Sequence, residues 1–229
     1  MVTGNGMIAK RFSDYAEDSR FLIFASGVSN SVLTDQNAFK READLLYDAI
    51  KNHFQKKLVY FSTCSIYDPS MKKSPYVIHK LKMEKIIKTS GISYTIFRVS
   101  NPIGKTENPN TVLNYFIRHI QEKKEFIVWK YASRNLIDLD DIYLICNYIL
   151  NNDLFRNHKV NVANPVNYSV IYIIQAIERH FGTEGNYQLA DKGNSPLIDT
   201  SAIQPILSKL KINFNNSYLS SILQKYFPV

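Results

Sequence analysis

The chain has 229 residues, enough to bury a full core, and its 45% apolar and 21% charged residues are the balance of an ordinary globular protein. No apolar run approaches the roughly 20 residues that cross a bilayer, and the start carries no charged-then-apolar leader pattern, so a cytoplasmic protein without membrane insertion is expected. The net charge of +8 is spread over scattered lysines such as Lys56-Lys57 and Lys123-Lys124, which reads as a solvated basic surface rather than a nucleic-acid track, and Cys64 and Cys146 form neither a disulfide framework nor a metal set.

Met1-Val2-Thr3 reads as a short strand, and Gly4-Asn5-Gly6-Met7-Ile8-Ala9 as a glycine turn opening a helix that continues to about Ala16. Gly-x-Gly-x-x-Ala between a strand and a helix is a dinucleotide fingerprint. Gly4 permits the tight turn, Gly6 lets the backbone approach a pyrophosphate, Ala9 lets the helix pack closely, and the helix N-terminus favours an anion. Phe21 to Ala25 is a continuous apolar run, the pattern of a buried parallel strand. It leaves through Ser26-Gly27-Val28-Ser29, small residues suited to a ligand lying against backbone. A helix is predicted from about Ala38 to Phe54, with Ala43, Leu46, Ile50 and Phe54 on its apolar face.

Leu58-Val59-Tyr60-Phe61 is the next strand, and it runs into the hydroxyl-rich turn Ser62-Thr63-Cys64-Ser65-Ile66-Tyr67. After a loop from Asp68 to Pro75, Tyr76 and Lys80 stand four residues apart on a predicted helix, so phenol and ammonium share one face. A tyrosine with a pKa of about 10 is a poor acid–base group at neutral pH, and a nearby cation favours its phenolate. A pair of this kind suits proton transfer at a carbinol oxygen while a hydride moves elsewhere. His79 is expected to point off that face to the surface. Cys64 reads as a packed strand-end residue, since no base is paired to it. Gly91 ends the helix, and Tyr94 to Arg98 forms a strand leading into Val99-Ser100-Asn101-Pro102-Ile103-Gly104.

In the second half, Leu113, Phe116, Ile117 and Ile120 make a helical stripe, and Glu125 to Trp129 a short strand. Arg134 to Asp141 reads as a strand entering an Asp-capped helix, with Asp140-Asp141 as cap rather than metal site. Lys159 to Ala163 is a strand, and Val170, Ile173, Ile174, Ile177 and Phe181 define an amphipathic helix. Short helices around Ile203–Leu210 and Leu219–Tyr226 finish the chain.

Taken in order, these segments resemble an extended short-chain dehydrogenase/reductase of the NAD-dependent epimerase/dehydratase, nucleotide-sugar kind. The glycine turn, the exit Phe24-Ala25-Ser26-Gly27, the turn Ser62 to Tyr67, the pair Tyr76 and Lys80, the segment Arg98 to Gly104 and the segment Arg134 to Asp141 all match in sequence. The resemblance implies an α/β fold, a truncated Rossmann-like doubly wound parallel sheet. Residues 1–104 would be its dinucleotide-binding core and 105–229 a small C-terminal α/β substrate-binding region, together one compact unit. It implies that Tyr76 is the acid/base, that Lys80 holds the nicotinamide ribose and biases the phenol, and that Thr63 hydrogen-bonds the reacting oxygen. NAD or NADP would lie against Gly4, Gly6, Met7, Ile8, Ala25, Ser26, Gly27 and Pro102 as well as Tyr76 and Lys80. Ser65, Asn101 and Arg134 would contact a nucleotide-sugar substrate, with Arg134 on its diphosphate as a forked donor. No metal is expected. Relatives pair the helices at 39–54 and 76–89 across a two-fold axis, so a homodimer is implied.

The chain also departs from that pattern. Only some twelve residues, Arg11 to Leu22, span the stretch where relatives carry two further strands, so the first strand is expected at a sheet edge and the adenosine half of the site in part missing. No strand remains to carry the acidic residue that reads the ribose, which leaves NAD against NADP open. Cys64-Ser65 stands where dehydratases carry Asp-Glu, which argues for keto-sugar reduction or epimerisation, expected in surface polysaccharide biosynthesis. The alternative is a catalytically inactive module of the same fold that binds a nucleotide or sugar nucleotide.

Overall fold

A computed structural model describes residues 1–31 and 33–229. The first half runs β1 (Val2–Thr3), α1 (Met7–Arg11), β2 (Phe21–Phe24), α2 (Gln36–Asn52), β3 (Lys57–Thr63), α3 (Pro75–Thr89) and β4 (Tyr94–Val99). The second half runs β5 (Asn101–Ile103), α4 (Val112–Gln121), β6 (Phe126–Trp129), β7 (Ser133–Arg134), β8 (Leu136–Asp138), α5 (Leu139–Asn151), β9 (His158–Val162), β10 (Tyr168–Ser169), α6 (Val170–Phe181), β11 (Tyr187–Ala190), α7 (Gln204–Leu210) and α8 (Tyr218–Tyr226).

Strands β1, β2, β3, β4 and β9 form one parallel sheet in that spatial order, with β1 and β9 at its edges. Strand residues alternate between its two faces, and both faces are apolar, which is why the sequence shows runs rather than alternation. Leu22, Phe24, Leu58, Tyr60 and Ile96 pack against Leu46 and Ile50 of α2 and Met83 and Ile87 of α3. On the other face, Ile23, Val59, Phe61, Phe97 and Val160 meet Phe12, the α5 residues Ile142, Ile145 and Ile149, and Leu207 of α7. The sheet is therefore Rossmann-like, with helices on both faces and the half-buried β1 at its edge, as the short Arg11–Leu22 stretch predicts. Its fifth strand and the covering helix α5 come from beyond residue 104. A second core gathers α4, α6, α8 and β6, with Leu113, Ile120, Val128, Ile173, Ile177 and Leu219 fully or nearly buried. The strand pairs β6–β11, β7–β10 and β5–β8 form three small two-stranded sheets in the second half, and β5 follows β4 of the main sheet directly in the chain.

Local signals explain most boundaries. Asp35 caps α2, its side chain accepting from the Asn37 amide, and Ser74 caps α3, accepting from Val77 with Pro75 in the first turn. α1 stops at Arg11 instead of reaching Ala16, because Phe12 and a 3-10 turn at Ser13–Tyr15 turn two aromatic rings into the core. Phe54 lies beyond the end of α2 and is exposed; the buried stripe of that helix is Phe39, Glu42, Leu46, Ala49 and Ile50. The cap of α5 is Asp138, which accepts from the Asp140 amide, rather than Asp140-Asp141. Asp138 also receives Lys225 Nζ (2.7 Å) and the Tyr226 hydroxyl (2.7 Å), tying α8 to the start of α5.

The two glycines of the first turn have different tasks. Gly4 holds a positive φ of 126°, and a Cβ there would stand 2.4 Å from the Ala25 carbonyl oxygen. Gly6 precedes α1 with an ordinary extended backbone, and a Cβ there meets nothing within 4 Å. Gly4→Ala should therefore lower stability by roughly 1–3 kcal/mol or more, whereas Gly6→Ala should stay within about 0.5 kcal/mol of the parent. Urea unfolding of the two variants checks this, and equal losses would contradict it.

Candidate active site

The parallel strands deliver their C-terminal ends to one side of the sheet, and a cavity of about 780 Å³ opens there, within the roughly 300–1,000 Å³ range of small-molecule sites. Gly6, Met7 and Ile8 line it from the first turn, and Ala25, Ser26 and Gly27 from the exit of β2. Thr63 and Ser65 come from the end of β3, Tyr76 and Lys80 from α3, Asn101 and Pro102 from β5, and Arg134 from β7. Of the residues expected to touch cofactor or substrate, Gly4 does not line the cavity; it lies behind the wall, against Ala25.

Thr63 ends β3 with an extended backbone and caps the 3-10 turn Cys64–Tyr67. Its hydroxyl accepts from the Ser65 amide (3.0 Å) and donates to Ser65 Oγ (3.0 Å), so the two hydroxyls act as a unit. Cys64 is buried, its thiol directed at the Arg98 carbonyl and pushed up to about 12 by that burial, which leaves it no nucleophilic character. Asn101 donates to the Asn135 carbonyl at 2.8 Å. Arg98 is turned away from the cavity. Its guanidinium grips Glu84 with two hydrogen bonds (2.9 and 2.6 Å), and Glu84 also receives the Ser62 hydroxyl (2.6 Å).

Lys80 is engaged in a way the sequence did not disclose. Its ammonium donates to Glu42 Oε1 (3.1 Å), the Tyr60 hydroxyl (3.1 Å) and, weakly, the Phe61 carbonyl (3.5 Å). Glu42 is fully buried and also accepts from the Tyr60 hydroxyl (2.6 Å), the Val28 amide (2.7 Å) and His79 Nε2 (3.0 Å). Burial opposes the charge on Glu42, but the hydrogen bond from His79, the Lys80 ammonium, Tyr60 and the Val28 amide outweigh it and hold the carboxyl down at about 2. His79 is thus a buried residue, 6% exposed, stacked on Phe39 with centroids 4.6 Å apart, and not the surface residue its place beside Lys80 suggested. Gly27 makes room for this cluster, since a Cβ there would stand 2.5 Å from Lys80 Nζ. The signal that could have found Glu42 is its place four residues before Leu46 on the apolar stripe of α2, where a carboxylate needs a buried partner.

Arg134 presents the opposite case. Burial pushes its guanidinium down from its usual value, with Asp68 opposing the shift. Among the described residues it makes one hydrogen bond, from Nη1 to the Ser133 carbonyl at 2.8 Å. A forked cation with most of its donors unused faces the cavity. No group of side chains suited to a metal ion occurs among the described residues. At the other end, the residues fit a nicotinamide nucleotide: the space over Gly6 is open, and Ala25, Ser26 and Gly27 leave backbone accessible to a flat ligand.

Residues 23–163 match the NAD dependent epimerase/dehydratase family. The chain belongs to that family, whose cofactor is NAD. No curated protein matches it in sequence. Among solved structures, UDP-glucose 4-epimerase of Thermus thermophilus, in complex with NAD, is 14% identical with a TM-score of 0.68, over 94% of this chain and 79% of that one. UDP-glucuronic acid 4-epimerase of Bacillus cereus, also in complex with NAD, is 18% identical with a TM-score of 0.69, over 95% and 75%. UDP-N-acetylglucosamine 4-epimerase of Methanobrevibacter ruminantium is 18% identical with a TM-score of 0.68, over 95% and 77%. No helix among the described residues is long and apolar enough to cross a membrane.

Glu42→Ala strands a buried ammonium and should destabilise the protein by about 3–5 kcal/mol. The pH dependence has a definite sign. The carboxyl is held below its ordinary 4.5, so its contribution is complete above about 4.5 and is lost as pH falls towards about 2. Glu42→Gln should flatten the stability profile across that window. A Glu42→Gln profile parallel to the parent's there would refute the assignment.

Proposed function

We propose that the protein is an NAD(P)-dependent enzyme acting on a nucleotide-linked sugar, as an epimerase or keto-sugar reductase, in surface polysaccharide biosynthesis. The observation that carries this reading is Arg134, a half-buried guanidinium with free donors in the same cavity as Thr63 and Tyr76. A planar fork in a partly dry wall matches a diphosphate better than any neutral group does. When bound at the Gly6 end, the cofactor supplies the hydride acceptor and donor. Tyr76 takes the proton from a sugar hydroxyl as its carbon gives up hydride, or returns it when the carbonyl is reduced. Thr63, coupled to Ser65, donates to or accepts from the same oxygen. Arg134 holds the diphosphate and leaves the sugar free to present either face, which epimerisation requires. Cys64-Ser65, where dehydratases carry an acid pair, supports reading the reaction as one without water loss.

The test is product analysis by NMR with UDP-linked hexoses, hexosamines, hexuronates and their keto derivatives. Tyr76→Phe should lower kcat roughly 100- to 10,000-fold on any responsive substrate, and unchanged turnover would sink the mechanism. A second reading, a binding module without turnover, draws on Lys80, whose donors are taken up inside the protein. Sugar-nucleotide binding with no turnover of any of these substrates would favour it.

We also propose a homodimer through α2 and α3. Tyr47, Ile78 and Leu81 are 54%, 57% and 41% exposed on the outer face of these two helices, beside a groove formed with Phe39 and Pro75. Sedimentation at micromolar concentration should give twice the chain mass, and Ile78→Asp should return it to one. A parent protein that runs as a monomer would count against the pairing.

A further inference from the structure

The cofactor site is built on one side only. Open α/β sheets hold a dinucleotide in the crevice where strand order reverses, with the two halves of the ligand over the two halves of the sheet. Here the order β1-β2-β3-β4-β9 rises steadily from one edge to the other and never reverses. β1 has two residues, and among the described residues no strand lies beyond it.

The link from β1 to β2 also offers few groups for a ribose past that edge. Arg11 pairs with Asp140 and lies 3.6 Å over the Tyr143 ring. Asp14 accepts from the Tyr143 hydroxyl (2.8 Å), and Asp18 holds Arg20 through its backbone amide (2.8 Å) and guanidinium (2.7 Å). Arg11, Asp14, Asp18 and Arg20 are thus committed within the fold; Lys10 and Glu17 stand exposed on α1 and the turn after it, and Arg41 of α2 lines the cavity. On the other side of β1, the wall continues without interruption from Gly6 through Ala25 and Thr63 to Tyr76.

We propose that this chain recognises its cofactor through the nicotinamide mononucleotide half alone. The adenosine half passes over the β1 edge towards solvent and contributes little to binding. One consequence is that the chain does not discriminate NADH from NADPH, because the 2′-phosphate sits on the half it does not hold. The proposal rests on the reading of this cavity as a nicotinamide site and goes beyond it by assigning which part of the ligand is recognised.

The experiment is calorimetric titration of the full chain with reduced nicotinamide mononucleotide, NADH, NADPH and ADP-ribose. It is run at about 0.15 M salt, where screening over about 8 Å suppresses a general preference of a basic protein for the more charged ligand. The three reduced nucleotides should bind within tenfold of one another, and ADP-ribose at least tenfold more weakly than any of them. Gly6→Leu, whose side chain would grow into open cavity, should weaken all three by the same factor, with folding checked by circular dichroism. A preference of more than tenfold for NADH or NADPH over the mononucleotide, or ADP-ribose binding as tightly as NADH, overturns the proposal and leaves the proposed function standing. Binding of none of the three nicotinamide nucleotides to folded protein overturns both.

Discussion

The ion pair between Glu42 and Lys80 is the constraint on which the site depends. It joins α2 to α3, and through Tyr60 and the Val28 amide it joins both helices to the centre of the sheet and to the exit of β2. A carboxylate and an ammonium so deeply buried are tolerable only when nearly every lone pair and proton is met. That requirement fixes four segments at once. It sets the rotation of α3, and so the direction of Tyr76 one turn earlier. It also excludes a side chain at Gly27, and a residue that looks like part of a cofactor wall is needed as much by the cluster behind it.

Much of this architecture was legible in the sequence because it is written in apolar runs and breakers. The runs at Phe21, Leu58 and Tyr94 became parallel strands, and the glycine turn, the Ser62–Tyr67 turn and the Tyr76–Lys80 pair came together at one cavity. What stayed hidden depends on partners far apart in sequence. α3 buries His79, Lys80 and Glu84 on the side that packs inward, so its hydrophobic pattern gives no guide to its orientation. Glu42 and Glu84 meet their partners, Lys80 and Arg98, only once the fold brings α2, α3 and β4 together. β10 and β11 were missed because they are short and take their pairing from distant β7 and β6. The cap of α5 was assigned two residues late, since Asp138, Asp140 and Asp141 are alike in composition and differ only in what α8 brings to them.

The two ends of the cavity differ in how they are built. At the β1 end the wall is Gly6, the apolar Met7 and Ile8, and the backbone and small side chains of Ala25, Ser26 and Gly27, with shape as its means of selection. At the Arg134 end it is a charged fork short of partners, with chemistry as its means of selection. Thr63 and Tyr76 lie between them. On the function proposed above, such a layout places anchoring of the reacting molecules mainly at the Arg134 end, since at the other end the sheet stops at the two-residue β1.

On the function proposed above, a nicotinamide and a nucleotide diphosphate meet in this one cavity with Tyr76 between them. A crystal structure of the protein with NADH and UDP tests it most directly. The nicotinamide ring should lie against Thr63, Tyr76 and Pro102, and the diphosphate of UDP on the Arg134 guanidinium. Either ligand seated outside this cavity, or a diphosphate held without Arg134, would contradict it.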